Sequence, residues 1–208
     1  MKILIADDHA IVRKGLIQIL LEEFPQAVIT EVSNGIEALT ATRAQIWDIV
    51  LMDISMPGRN GIEILKQMRA ENVKAPVLML SMHPEEQYAV RSLRAGASGF
   101  LNKESATDEL LAAVRKVLAG RKYITNAVAE ILAESSNTNA EKAPHELLSD
   151  REMQVLLFIA SGKTVSEIAE EISLSVNTIS TYRARILEKM NLQNNSELTR
   201  YVFENHLN

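Results

Sequence analysis

Five residues of this chain stand where chemistry could be done. Asp7 and Asp8 follow the apolar run KILIA, Asp53 follows IVLM, Ser81 follows PVLML, and Lys103 comes two residues after SGFL. Any one of these acids alone is ordinarily a helix cap or a turn residue. As a set they ask for more. Carboxylates gathered beside an apolar core repel one another and are costly to leave uncompensated. A hard divalent cation resolves this, and Mg²⁺ prefers oxygen ligands while keeping several waters. With the cation in place, one carboxylate can act as a nucleophile toward a phosphoryl group and form an aspartyl phosphate. Lys103 would neutralise one phosphoryl oxygen, and the Ser81 hydroxyl would hydrogen-bond another.

The elements that must bring these residues together show in the first 120 residues. Short apolar runs lie at 2–6, 27–32, 49–52, 76–80 and 98–101. Between them come stretches with helical spacing, such as Ile11, Leu16, Ile19 and Leu20, then Ile62, Ile64, Leu65 and Met68, and later Leu110, Leu111, Val114 and Leu118. Strand–helix alternation repeated five times predicts an α/β doubly wound parallel sheet with helices on both faces. The near-continuous apolar strands agree, since a sheet covered on both sides has no wet face. In a flavodoxin-like order 2-1-3-4-5, strands one, three and four are neighbours, and ligands bind at the carboxyl ends of the strands. Asp7, Asp8, Asp53, Ser81 and Lys103 would then converge on one pocket.

After Gly120 the pattern changes. Residues 124–133 predict a short helix, and 134–146, which lacks apolar periodicity, predicts a flexible linker. From Leu147 onward only helical patterns remain. The boundaries are therefore 1–120 for the α/β domain, 121–146 for a linker helix and flexible linker, and 147–208 for a small all-α domain. Ser149 with Glu152 forms a capping box, and Gly162 stands where a helix should end. Thr164 with Glu167 forms a second box. SLSV makes a tight turn, and Asn177 to Met190 predicts a longer helix, so the pair reads as a helix-turn-helix. That second helix carries Arg183, Arg185 and Lys189 against one acid, Glu188, and exposes Asn177, Thr178, Ser180, Thr181 and Tyr182. These are suitable contacts for phosphates and base edges. Residues 146–208 nevertheless hold six Lys/Arg and nine Asp/Glu, a net charge of −3. A DNA-binding domain usually shows a basic excess, so a protein-binding output for this domain is the competing expectation.

Residues 1–120 resemble a CheY-like receiver domain, through Asp7-Asp8, the DISMPG segment around Asp53, Ser81, and GASGFLNK ending in Lys103. Residues 147–207 resemble a LuxR-type helix-turn-helix, through LSDRE, the segment from ASGKTVSEIAEE to EKMNL, and ELTRY. Joined in this order they resemble a two-component response regulator of the NarL/FixJ family. The resemblance implies that Asp53 is the phosphoacceptor, supplied by a cognate sensor histidine kinase. It implies that Asp8 and Asp53 bind Mg²⁺ with the Ser55 backbone carbonyl, Asp7 assisting. It also implies that Ser81 and an inward-moving aromatic, here Phe100, form the switch. In the second domain it places Ser180, Thr181 and Ala184 nearest the bases of double-stranded DNA. Arg183 and Arg185 become phosphate contacts, and Thr164, Asn177, Thr178 and Lys189 belong to the same interface. A homodimer of the phosphorylated form is expected.

The remaining composition bounds this expectation. The chain has 208 residues, 47% of them apolar and 24% charged, with a net charge of −5 and no cysteine. Disulfides and thiolate metal sites are excluded. The apolar stretch at the N-terminus is too short for a signal peptide, and no run approaches the roughly 20 residues of a membrane span. A cytoplasmic protein that is not an enzyme and not membrane-bound is expected. The alternative from another class is a Mg²⁺-dependent phosphohydrolase, but the haloacid-dehalogenase pattern needs a second Asp two residues after the nucleophile, and here that residue is Ser55.

Overall fold

The computed structural model describes every residue except 83–84, 138–142, 206 and 208, and it describes no side chains at 85–87, 106–108 and 134–137. The chain divides into two compact units, Met1–Ser136 and Asn137–Asn208.

The first unit runs β1 (Lys2–Ala6), α1 (Ala10–Glu23), β2 (Val28–Val32), α2 (Gly35–Ala44), β3 (Ile49–Asp53), α3 (Gly61–Ala70), β4 (Val77–Ser81), α4 (Glu85–Arg94), β5 (Gly99–Asn102), α5 (Ala106–Leu118) and α6 (Asn126–Asn137). The five strands are all parallel, in the order β2-β1-β3-β4-β5. This is the doubly wound sheet the alternation predicts. Ile3, Ile5, Ile49, Leu51, Leu78, Leu80 and Leu101 line one face and pack on Leu16 and Leu20 of α1 and on Leu110, Ala113, Val114 and Val117 of α5. The alternate residues Leu4, Val50, Met52, Met79 and Phe100 are also buried and turn to the other face. β2 departs from the expectation of a sheet without a wet face. It is an outer strand with β1 as its only neighbour in the sheet, and Val28 is 60% exposed.

Three parts of the predicted linker take defined structure: the segment at Tyr123, α6, which continues through 134–137 where the sequence predicts a flexible segment, and the turn at 144–147. The Tyr123 N–H donates to the Ser98 carbonyl at 2.9 Å, and Tyr123 forms a parallel bridge with Gly99. A Cβ on Gly99 would lie 2.8 Å from the Tyr123 carbonyl oxygen, so this close approach needs glycine. Residues 144–147 form a single 3₁₀ turn, in which His145 Nδ1 lies 2.9 Å from the Tyr201 hydroxyl. The middle of the expected flexible segment, 138–142, lies outside the described residues.

The second unit holds α7 (Asp150–Ala160), α8 (Val165–Glu171), α9 (Val176–Met190) and α10 (Asn195–Glu204). Both predicted capping boxes form. The Glu152 N–H donates to Ser149 Oγ at 3.3 Å and the Ser149 N–H to Glu152 Oε2 at 2.8 Å. Thr164 and Glu167 make the same reciprocal pair at 3.3 and 2.7 Å. Ser175 then caps α9 through the Thr178 N–H at 3.1 Å. In the turn between α8 and α9, Ser173 takes a left-handed φ of +54°. Val155, Leu156 and Ile159 from α7, Ile168 from α8, Ile179, Ile186 and Met190 from α9, and Leu198 and Val202 from α10 are buried. Among the described residues no helix is long and apolar enough to cross a membrane.

Candidate functional site

Because the strands are parallel, their carboxyl ends share one edge. Asp53 is the last residue of β3, Ser81 the last of β4, and Asp7 and Lys103 directly follow β1 and β5. The ladder fixes their levels. The Lys103 N–H donates to the Ser81 carbonyl at 2.8 Å, and the Ile54 N–H to the Leu80 carbonyl at 3.0 Å. Asp7 is 0% exposed, while Asp53 and Ser81 are each 1% exposed.

Lys103 stands between two of these acids. Its Nζ lies 2.8 Å from Asp7 Oδ2 and 2.7 Å from Asp53 Oδ2. The sequence placed Lys103 against a phosphoryl oxygen; here its ammonium holds the two carboxylates that would flank one. Asp53 Oδ1 also accepts the Ser55 N–H at 3.2 Å. Burial pushes the Asp53 carboxyl up to about 7, the Asp7 charge adds to this, and Lys103 opposes it. Asp8 completes the group, its Oδ1 2.7 Å from His9 Nδ1. Ligand atoms of Asp7, Asp8, His9 and Asp53 all lie within 4.8 Å of one another. Three carboxylates face one ammonium, so the donor set is oxygen-rich and short of positive charge. That fits a hard divalent cation such as Mg²⁺.

Neighbouring residues that the sequence did not single out fix this arrangement. Asp7 Oδ1 accepts the His9 N–H at 2.8 Å, and Arg13 Nη1 donates to the Asp7 carbonyl at 2.6 Å while its Nε pairs with Glu31. His9 could have been suspected from its place directly after the acid pair. Gly61 opens α3 against the end of β3. A Cβ there would lie 2.1 Å from the Asp53 carbonyl oxygen. Its neighbour Asn60 is fully buried and caps α3 by accepting the Ile62 N–H at 2.8 Å. Phe100, one strand residue before Leu101, is buried at 2% exposure.

In the second unit the expected DNA contacts fall in different environments. Asn177, Ser180, Thr181, Ala184 and Arg185 are exposed, and Thr178 is half-buried. Asn177, Thr178, Thr181, Tyr182 and Arg185 line one shallow depression on α9. Thr164 is occupied as the cap of α8. Two of the three cations are engaged within the domain. Arg183 Nε donates to Asn195 Oδ1 at 2.6 Å, and Lys189 Nζ lies 2.6 Å from Glu152 Oε2. The partners are 12 and 37 residues away in the chain, beyond the reach of any local pattern.

A parallel sheet with an acid-and-lysine pocket at its carboxyl edge, joined to a capped helix-turn-helix, defines a class, and family comparison agrees. Residues 3–115 match the response regulator receiver domain, and residues 146–202 match the bacterial regulatory proteins of the luxR family. The chain belongs to the NarL/FixJ family of two-component response regulators, phosphorylation-controlled transcription regulators with a helix-turn-helix output. Among its relatives is the response regulator UvrY of Escherichia coli, 35% identical over 206 residues that cover 99% of this chain and 94% of UvrY. The response regulator GacA of Pseudomonas syringae is 35% identical over 198 residues, 95% of this chain and 92% of GacA. Among solved structures, RcsB of Salmonella enterica serovar Typhimurium bound to promoter rprA in the presence of phosphomimetic BeF3- is similar with a TM-score of 0.63 and 25% identity, over 97% of each chain.

Proposed function

We propose that Asp53 is the phosphoacceptor and that its phosphorylation controls DNA binding by α9. The observation that carries this is the pairing of a buried strand-end carboxylate with Lys103 at 2.7 Å, beside two further acids. An Asp53 oxygen attacks phosphorus of a phosphohistidine on the partner kinase. The P–N bond breaks and the leaving imidazole takes up a proton. Lys103, already at Asp53, neutralises charge developing on a phosphoryl oxygen, and the Ser81 hydroxyl donates to another. Asp7, Asp8 and Asp53, with the Ser55 backbone carbonyl, would hold Mg²⁺. When bound, that ion screens the repulsion between the carboxylates and the incoming phosphoryl group. The added charge then biases a two-state element made of Ser81 and Phe100.

The receiver spans 1–120, the connecting segment 121–146 and the output domain 147–208. On α9, Ser180, Thr181 and Ala184 meet base edges, while Asn177, Thr178 and Arg185 approach the backbone. RcsB, the structural relative, is described as two dimers bound to two parallel DNAs, and this chain binds DNA as a homodimer once phosphorylated. A DNA target places its work in the cytoplasm. It acts as a regulator rather than an enzyme, since the residue two after Asp53 is Ser55 and brings no second acid. The six Lys/Arg and nine Asp/Glu of 146–208 favour one competing output, a protein-binding surface.

Both are separated by selecting duplexes from a random pool with the wild-type chain, with and without acetyl phosphate. Enriched duplexes whose affinity rises on phosphorylation, and does not rise for Asp53→Asn, are expected. No enrichment in either form would favour the protein-binding output, and an equal response by Asp53→Asn would remove Asp53 from the acceptor role.

A further inference from the structure

The recognition helix carries three cations, and the geometry divides their work. With roughly 100° between successive residues, Ile179, Ile186 and Met190 form the buried face of α9. Lys189 lies on one rim of that face and Arg183 on the other. Lys189 Nζ is 2.6 Å from Glu152 Oε2 on α7, and the same oxygen accepts the Ser149 N–H at 2.8 Å. Glu152 is 3% exposed. Burial pushes its carboxyl up, but Lys189 and the Ser149 N–H outweigh that and hold it below the ordinary range. Arg183 is tied on the opposite rim to Asn195, at the head of α10. Arg185 is exposed and shares the outward depression with Asn177 and Thr181.

We propose that Lys189 is a positioning residue, holding α9 on the cap of α7 through Glu152, and that Arg185 carries the phosphate-facing charge of the recognition helix. If Lys189 left to reach a phosphate, Glu152 would remain a buried carboxylate without its counter-charge. Uncompensated buried charge is among the more expensive defects in a folded domain, whereas an exposed phosphate contact gains only modest energy in water. The pair therefore persists when DNA binds. What it supplies is the angle at which Thr181 and Ala184 meet the groove. The inference rests on the DNA-binding role of α9 proposed above.

The test uses the phosphorylated full chain and a fluorescent duplex selected by the wild type. Affinity is measured across a salt series for Lys189→Gln, Glu152→Gln, the double variant and Arg185→Gln. Glutamine at 152 keeps the capping box, because Gln serves at that position as well as Glu. Each phosphate contact contributes about 0.9 to the slope of log affinity against log salt. Arg185→Gln is expected to shrink the slope by that amount. Lys189→Gln is expected to weaken binding by one factor at every salt concentration, with the wild-type slope. Glu152→Gln should do the same, and the double variant should be no worse than either single change. Lys189→Arg should restore affinity. A Lys189→Gln slope reduced like that of Arg185→Gln would overturn the proposal, and so would additive losses in the double variant. If the wild type selects no duplex, the DNA-binding role itself fails, and this proposal with it.

Discussion

At the carboxyl edge of the sheet, Lys103 stands between two carboxylates that are shut away from water. On α9 the residues proposed to meet base edges, Ser180, Thr181 and Ala184, are all short and all exposed. The pocket carries its own electrostatic demand, because three acids with one ammonium require something more to be stable. That face of the helix carries none, since its short side chains are open to water. Two buried carboxylates, Asp53 and Glu152, shift in opposite senses, each set by the balance of burial against its neighbours. Asp53 is pushed up because burial and Asp7 outweigh Lys103, and Glu152 is held down because Lys189 and the Ser149 N–H outweigh burial. A site that waits for a ligand is out of balance on its own, whereas a structural pair is balanced already.

That contrast can be broken most forcefully at Lys103. Lys103→Met removes the counter-charge from Asp7 and Asp53 and is expected to destabilise the first unit by about 3–5 kcal/mol. Denaturant unfolding in a chelator should show the loss, and added Mg²⁺ should recover part of it. Equal stability of the variant and the wild type would mean the pocket is not under electrostatic strain.

Gly61→Ala comes next. Its Cβ would fall 2.1 Å from the Asp53 carbonyl oxygen. Overpacking of this kind is expected to cost about 1–3 kcal/mol and to slow phosphorylation by acetyl phosphate, because the backbone that moves is the acceptor's own. A stability loss with an unchanged phosphorylation rate would separate the packing of α3 from the placement of Asp53.

The opposite shifts can be read from pH. The Glu152 carboxyl is lowered in the fold, so its stabilisation is present above its ordinary value of about 4.5 and fades as pH falls through the folded value. Asp53 is raised from its ordinary value of 3.8 to about 7, so without a divalent cation its contribution to the stability of the first unit should decline as pH rises from about 4 to about 7 and level off above that. Unfolding followed separately in the two units should show these opposing limbs. Glu152→Gln should remove the limb below about 4.5, and Asp53→Asn the limb between about 4 and 7.

The smallest expected effect lies in the turn before α9. Ser173 holds φ of +54°, a left-handed conformation that costs L-residues roughly 1–2 kcal/mol. Ser173→Gly should relieve part of this and raise the stability of the second unit by about 0.5 kcal/mol, after glycine's own entropic cost. A loss of stability would mean that the Ser173 side chain contributes something the turn geometry does not.

The same contrast explains how much the sequence could reveal. The strands were readable because IVLM and VLML must be buried on both faces, and each ends on a polar residue that an apolar strand would not choose without purpose. The caps were readable because Ser149 with Glu152 and Thr164 with Glu167 are local, and both boxes form. β2 was misjudged as fully covered because its burial depends on being an edge, a property of topology rather than of residues 28–32. The roles of Gly61 and Gly99 were hidden because each answers to backbone brought close from elsewhere, Asp53 in one case and Tyr123 in the other. Lys189 and Arg183 looked like free cations because their partners lie far along the chain. Local chemistry is written locally; compensation between distant groups is written only in the fold.

The central claim is that Asp53 is the acceptor on which the whole response turns. Its most direct test is intact mass after incubation with acetyl phosphate and Mg²⁺, for wild type and Asp53→Asn side by side. The account predicts a gain of one phosphoryl group in the wild type and none in the variant. A gain of equal size in both would contradict it.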